Sequence, residues 1–311
     1  MKTAADLAEI EPVIHDDTPL ARAAEHSLLA RREASARPAM PRPDATRVMV
    51  VGNQKGGVGK TTSTVNIAAG LAQLGQRVLV IDLDPQGNAS TALGVEHRQG
   101  TPSTYDLLVG GMSLTDVVTS CPDLDNLDVV PATIDLAGAE IELVNVVARE
   151  HRLEKALLAD SRIGDARTAG DGRWDYVLVD CPPSLGLLTI NALVAGQEMM
   201  IPIQAEYYAL EGLSQLLATV DMIRAHLNPD LAVSTILITM FDARTRLASG
   251  VADEVKSHFG NQVLGTYIPR SVRVSEAPSY GQTVMTYDPG SPGALSYLEA
   301  AKEIASRGVG R

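Results

Sequence analysis

From Arg47 onward, short runs of apolar residues alternate with longer stretches in which apolar positions recur every three or four residues. The runs at 48–51 (VMVV), 77–81 (RVLVI), 127–130 (LDVV), 174–179 (WDYVLV), 198–203 (EMMIPI) and 231–239 (LAVSTILIT) are too short for helices. Their mostly apolar character predicts buried strands. The stretches at 61–74, 136–159, 187–195, 210–227, 250–259 and 293–306 predict helices. Gly75 ends the first of these, Asn228-Pro229 closes the fourth, and the last sets Leu295, Leu298, Ala301 and Ile304 at helical spacing. Strand and helix in alternation predict an α/β fold, a mostly parallel sheet flanked by helices on both faces. The polar, glycine-bearing segment 160–173 (DSRIGDARTAGDGR) predicts a surface loop.

Before Arg47 the pattern is different. Residues 1–46 are rich in Ala, Arg, Glu and Pro and end in ARPAMPRPDATR. Prolines between 38 and 43 exclude regular structure there. Residues 18–35 have the composition of one helix, with Leu20, Leu28 and Leu29 partly on one side. The expected organisation is a mostly disordered tail over 1–46 and one domain over 47–311.

Composition supports that picture. Hydrophobic residues make up 45 % and aromatic residues only 4 %, so Ala, Val, Leu and Ile must form the core. That suits helices packed on a parallel sheet. The net charge of -12 would repel DNA and anionic lipid if spread evenly, so nucleic-acid contact requires a local basic patch. Cys121 and Cys181 lie in no CxxC or Cys/His spacing, which argues against a disulfide framework or a zinc site. Reduced thiols, no apolar run of membrane-spanning length and no signal-peptide layout lead to the expectation of a soluble cytoplasmic protein.

The most informative motif is GNQKGGVGKT at 52–61, which matches GxxxxGK[ST] between a strand and a helix. The glycines let backbone N–H groups close on phosphate oxygens, and the following helix turns its positive end to the anion. Lys60 supplies a cation to the β and γ phosphates, and the Thr61 hydroxyl is a magnesium ligand. Residues Lys55, Gly56, Gly57, Val58, Gly59, Lys60, Thr61 and Thr62 are therefore expected to bind ATP with Mg2+. Asp180 follows four apolar strand residues, the Walker B position for magnesium. Asp82 and Asp84 follow another strand and belong at the same end of the sheet.

Six motifs in order carry a resemblance to the deviant Walker A ATPases, and within them to the ParA partition proteins. They are KGGVGKTT at 55, DLDPQGNAS at 82, VLVDCPPSLG at 177, PIQAEYYALEGL at 202, MFDARTRL at 240 and YIPRSVRVSEAPSYGQTV at 267. The resemblance runs from about Arg47 to the C-terminus and implies a partner-stimulated ATPase. In it Lys55 is the signature lysine, reaching across an ATP-bound homodimer to the partner's phosphates, with Gly56 and Glu206 at the dimer interface. It makes Lys55, Lys60 and Asp84 catalytic, Asp84 by orienting water. It groups Thr61, Asp84 and Asp180 around magnesium, with Asp82 near metal-bound water, and sets Pro269 near the adenine. Asn66 is either a dimer-face residue or an ordinary helix position.

The same resemblance implies non-specific binding of double-stranded DNA through Arg244 and Arg273, joined by Arg246 and Arg270, and stimulation by a ParB-type centromere-binding protein. It implies nucleoid association and no membrane contact. Ion pairs with Asp242, Asp253 or Glu276 are the alternative for these arginines, and the nucleotide site is an alternative for Arg270. A MinD-like membrane ATPase is the main rival, but the tail SYLEAAKEIASRGVGR is small and mixed in charge rather than bulky and basic. A nitrogenase-iron-protein-like reductase would need cluster cysteines, and neither Cys121 nor Cys181 lies in that context. The segment before Arg47 is too short for the winged-helix domain of some plasmid relatives, which favours a chromosomal role.

Overall fold

The computed structural model describes residues 39–170, 172–206 and 209–307. Seven strands form one sheet: β1 (Arg47–Val51), β2 (Val78–Asp82), β3 (Thr119–Ser120), β4 (Leu127–Val130), β5 (Tyr176–Asp180), β6 (Glu198–Gln204) and β7 (Ala232–Thr239). Their order is β3-β4-β2-β5-β1-β6-β7. Every pairing is parallel except that of β3 with β4. The expected mostly parallel α/β architecture is therefore present.

The helices are α1 (Lys60–Gln73), α2 (Asn88–Ala92), α3 (Leu114–Val117), α4 (Leu136–Leu143), α5 (Arg152–Leu158), α6 (Leu187–Ala195), α7 (Ala209–His226), α8 (Arg246–Phe259), α9 (Val272–Glu276), α10 (Val284–Tyr287) and α11 (Pro292–Arg307). Successive strand residues point to opposite faces, so each face builds its own core. Val48, Val50, Leu79, Ile81, Val177 and Val179 pack with Leu136, Leu153 and Leu193 of α4, α5 and α6. Met49, Val51, Val78, Val80 and Leu178 pack with Ile67 and Leu71 of α1 and Leu298 and Ile304 of α11. Gly70 sits mid-helix because a Cβ there would lie 2.8 Å from the Ala301 Cβ, so α1 and α11 approach closely.

Three expectations need correction. The stretch 136–159 is not one helix: α4 stops at Leu143, Ala148 takes a left-handed φ of 54°, and a 3-10 turn at Arg149–His151 leads into α5. The cause is tertiary. Asn191 Oδ1, on α6, accepts from the N–H groups of Arg152 (3.0 Å) and Leu153 (3.2 Å), and its Nδ2 donates to the Arg149 carbonyl (2.9 Å). A side chain from another element thus caps a new helix start. Second, the helix expected from 250 begins at Arg246, where Thr245 Oγ1 caps it by accepting from the Ala248 N–H at 3.3 Å.

Third, residues 39–46, expected in the tail, lie against the domain. The Met40 N–H donates to the Leu74 carbonyl at 2.9 Å, and Ala45 bridges to Asp165. Arg42 Nε pairs with the fully buried Asp175 at 2.7 Å, and Thr46 Oγ1 donates to the Trp174 carbonyl at 2.7 Å. Trp174 Nε1 donates to Asp128 Oδ2 at 2.9 Å, and the Arg162 guanidinium covers its ring at 4.0 Å. This network gathers where β1 and β5 begin. The helix expected within 18–35 lies outside the described residues.

Candidate active site

β1 has β5 on one side and β6 on the other, so the chain leaving β1 must cross over to reach β2. Such a switch point opens a crevice at the carboxyl ends of the strands. Residues 52–59 occupy it. The Gly52 N–H donates to the Met200 carbonyl (3.2 Å), Asn53 Nδ2 to the Pro202 carbonyl (2.8 Å), and Thr239 Oγ1 to the Val58 carbonyl (2.8 Å). Gly57 (φ 74°) and Gly59 (φ 87°) take left-handed conformations that a side chain would strain. No atom lies within 4 Å of a Cβ built on Gly56 or Gly57, so the cradle is open toward solvent. α1 begins at Lys60 and turns its free N–H groups to that cradle.

Lys60 is 8 % exposed. Burial lowers its pKa, and the carboxylates of Asp180 and Asp84 oppose that effect. Asp82 and Asp180 are register partners at the ends of β2 and β5, both fully buried. Asp180 Oδ2 accepts from Thr61 Oγ1 at 2.7 Å and its Oδ1 from Thr64 Oγ1 at 2.9 Å. Asp82 is committed elsewhere: Oδ2 accepts from Ser90 N (2.9 Å) and Ser90 Oγ (2.7 Å), and Oδ1 from the Asp84 N–H (3.2 Å). Asp84 is 9 % exposed, and its Oδ1 accepts from the Gln86 N–H at 3.0 Å.

Burial raises the pKa of both buried aspartates, and the charge of Asp82 adds to the effect on Asp180. Asp180 is pushed up to about 8. The folded chain thus holds protons that the unfolded chain has released. The sign of the linkage follows: this stabilising contribution is complete below the ordinary carboxylate range and is lost as pH rises toward about 8. A buried lysine, a threonine hydroxyl and paired carboxyls short of positive charge, beside an open N–H cradle, fit a magnesium-bound polyphosphate.

The remaining expected site residues fall as follows. Lys55 Nζ forms an ion pair with Glu206 Oε2 of the same chain at 2.8 Å. Asn66 is buried: Nδ2 donates to the Thr62 carbonyl (2.7 Å) and Oδ1 accepts from the Val284 N–H (2.9 Å), so it ties α1 to α10. The packing alternative for Asn66 is the one observed. Pro269 forms a parallel bridge to Phe241, beyond the end of β7. That bridge sets the segment that carries Arg244 beside the one that carries Arg270, while Arg246 begins α8 and Arg273 lies on α9. Arg244 is bidentate on Asp242 (2.9 and 2.8 Å), and Arg270 also lowers the pKa of Asp242. Arg273 pairs with Glu276 (3.1 Å) and Asp288 (3.4 Å). The ion-pair alternative thus describes Arg244 and Arg273 in the unliganded chain, and both side chains remain exposed. The sequence reading missed Thr64, whose place three residues after Thr61 on one helix face was the available signal. Cys121 and Cys181 are both buried free thiols.

The AAA domain family model matches residues 46–233. The chain is 52 % identical over 262 residues to the sporulation initiation inhibitor protein Soj of Bacillus subtilis, covering 84 % of this chain and 99 % of that protein. It is 46 % identical to the chromosome partitioning protein ParA of Caulobacter vibrioides, covering 84 % of this chain and 94 % of that one. Among solved structures it resembles cobyrinic acid a,c-diamide synthase from Mycobacterium smegmatis with bound ADP and magnesium. There the TM-score is 0.70 and the identity 36 %, over 86 % of this chain and 97 % of that one. MinD from Pyrococcus horikoshii, complexed with Mg-ADP, shares the fold, with a TM-score of 0.67 and 23 % identity over 86 % of this chain and 100 % of that one. With its phosphate loop, its paired aspartates and this similarity along most of its length, the chain belongs to the Soj/ParA family of chromosome-partitioning ATPases.

Proposed function

We propose that the protein is a magnesium-dependent ATPase of DNA segregation, which binds DNA as an ATP-held dimer and hydrolyses ATP when a ParB-type partner stimulates it. The observation that carries the enzymatic part is the constellation of buried Lys60, Thr64 and Asp180 with half-buried Thr61 under an open glycine cradle. Bound magnesium would neutralise charge between the phosphate oxygens. Thr61 and Asp180 would hold it, directly or through water, and Lys60 would meet the β and γ phosphates. Asp84 would orient the attacking water from the end of β2, and Pro269 would border the base.

Proton bookkeeping tests the metal part. Binding of magnesium with ADP should release protons at pH 7, because Asp180 must ionise, and the release should vanish above about pH 8. Calorimetry in buffers of different ionisation heat measures it. Binding at pH 7 without proton release would mean that Asp180 is already ionised in the free chain.

Lys55 supports the dimer part. Its pairing with Glu206 is well exposed on both sides, so releasing it costs little, about 1 kcal/mol or less. An exchange of Glu206 for a partner's phosphates is therefore within reach of nucleotide binding energy. For the DNA part, the bridge between Phe241 and Pro269 sets the segments that carry Arg244 and Arg270 side by side in a protein of net charge -12, which supports a local basic patch. Dimerisation would double that patch, and the two halves would add as avidity. Arg273→Glu should dimerise with ATP yet lose DNA, and wild-type retention should fall steeply with salt. DNA held equally at low and high salt would sink the phosphate-contact reading.

A membrane reading is disfavoured by α11. Its Tyr297, Leu298, Ala301 and Ile304 are buried in the core; Leu295, expected to pack with them, is exposed, and beside it the outer face presents Glu299 and Lys302 as an ion pair. That leaves no bulky apolar stripe for lipid on the described part of the helix. Among the described residues no helix is long and apolar enough to cross a membrane.

A further inference from the structure

The turn that presents Asp84 has a second support, outside the phosphate-binding machinery. The Gly87 N–H closes the turn on the Asp84 carbonyl at 2.9 Å, and the Gln86 N–H binds Asp84 Oδ1 at 3.0 Å. From the inside, Asp82 and Ser90 hold the chain on either side of it. From the outside, the ring of His97 lies against Gly87. A Cβ on Gly87 would stand 3.0 Å from His97 Nδ1 and 3.2 Å from the Ala132 carbonyl oxygen. Gly87 takes a left-handed φ of 63° in the gap between them.

A hydrogen-bond relay fixes the ring. Thr91 Oγ1 donates its one proton to the Gly87 carbonyl at 3.0 Å. Its oxygen is left to accept, and His97 Nε2 lies 3.0 Å away. With that donation made we assign the ring proton to Nε2, so that the relay runs from His97 through Thr91 to the carbonyl of the turn. Beyond the ring, Pro85, Gln86, His97, Gln99, Ala132 and Ile134 border a cavity of about 560 Å³. Without the imidazole, the outer side of Gly87 would face this cavity, and its carbonyl would keep the Thr91 N–H at 2.9 Å as its backbone tie.

We propose that His97 is a positioning residue for hydrolysis: through Thr91 and Gly87 it holds the turn in the conformation that lets Asp84 meet the attacking water. The proposal rests on the reading of Asp84 as the water-orienting residue. His97 touches neither nucleotide nor water in this role. It acts on rate by fixing where a carboxylate sits, and misplacement of such a group by about an ångström is costly.

The test is steady-state ATP turnover of the full chain, with DNA and partner present, alongside nucleotide affinity and thermal midpoint. His97→Ala should lower kcat about tenfold while KM for ATP and the midpoint stay near wild type. His97→Gln, whose side-chain amide offers a donor at the reach of Nε2, should recover most of the loss. Thr91→Val should reproduce the alanine effect, and the double variant should be no slower than either single one, because both break one relay. Wild-type turnover in His97→Ala overturns the proposal. So does a rate loss that tracks the thermal midpoint, or full additivity with Thr91→Val. Asp84→Ala in the same assay separates the two readings. If it turns over normally, the role of Asp84 fails. If it is inactive while the His97 variants are normal, only the present inference fails.

Discussion

Lys60→Ala is expected to abolish ATP binding at cellular nucleotide concentrations while leaving the fold intact. The side chain is almost wholly enclosed, and burial already disfavours its charge. The chain keeps a buried ammonium there because Asp180 and Asp84 stand close by, and because phosphate oxygens would complete its shell. Alanine removes the one buried cation that, among the described residues, faces these carboxylates, and takes from the triphosphate its lysine partner. Stranding buried charge in this way costs about 3–5 kcal/mol, roughly two to four orders of magnitude in affinity. The empty fold should tolerate the change, since an enclosed ammonium is itself a burden and α1 keeps its buried Ile67 and Leu71. Calorimetric titration with ATP and magnesium, beside a thermal melt, reads both quantities. ATP bound at wild-type affinity would remove Lys60 from the phosphate site, and with it the reading of residues 55–62.

Asp84→Ala is expected to separate binding from hydrolysis. Its carboxylate takes no part in seating Thr61, Thr64 or Asp180, so ATP and magnesium should bind nearly as before. Loss of a positioned group that orients water and accepts its proton slows chemistry by about 10²–10⁴-fold. On the proposed cycle the variant should accumulate with ATP bound and remain on DNA, where the wild type would be released after stimulation. The Asp84 side chain also accepts the Gln86 N–H, so Asp84→Asn is the informative companion: it can keep that contact while losing the charge. Single-turnover phosphate release and DNA retention measure the two effects. Normal release from either variant would move the water-handling role elsewhere.

The strands were legible because a parallel sheet covered on both faces needs continuous apolar runs, and few other structures do. The phosphate loop was legible because glycine spacing, lysine and hydroxyl are each demanded by the same anion. What stayed hidden depends on partners remote in sequence. The break between α4 and α5 is written in Asn191, which no periodicity over 136–159 can include. The pairing of Lys55 with Glu206 joins the loop after β1 to the end of the neighbouring β6, about 150 residues later in the chain. Arg244 with Asp242 was readable within one motif, but the contact of Arg273 with Asp288 needed α10 to fold back beside α9. β3 is two exposed residues long, held by pairing with β4 and not by any pattern of its own. Residues 39–46 look like a linker by composition. Their order comes from carbonyls and an arginine that find donors and a carboxylate on the domain.

That last region has an optical consequence. Trp174 is the only tryptophan of the chain, and it is 2 % exposed. Its indole N–H is held by Asp128 and its ring is shielded by Arg162, while its carbonyl receives Thr46. Intrinsic fluorescence therefore views the molecule from the pole opposite the nucleotide. Its emission should be blue-shifted, should redden when residues 39–46 detach or the sheet opens, and should hold steady through nucleotide exchange. A spectroscopist thus has a built-in gauge of unfolding that is blind to turnover, and a signal for ATP must be installed on the other side of the sheet.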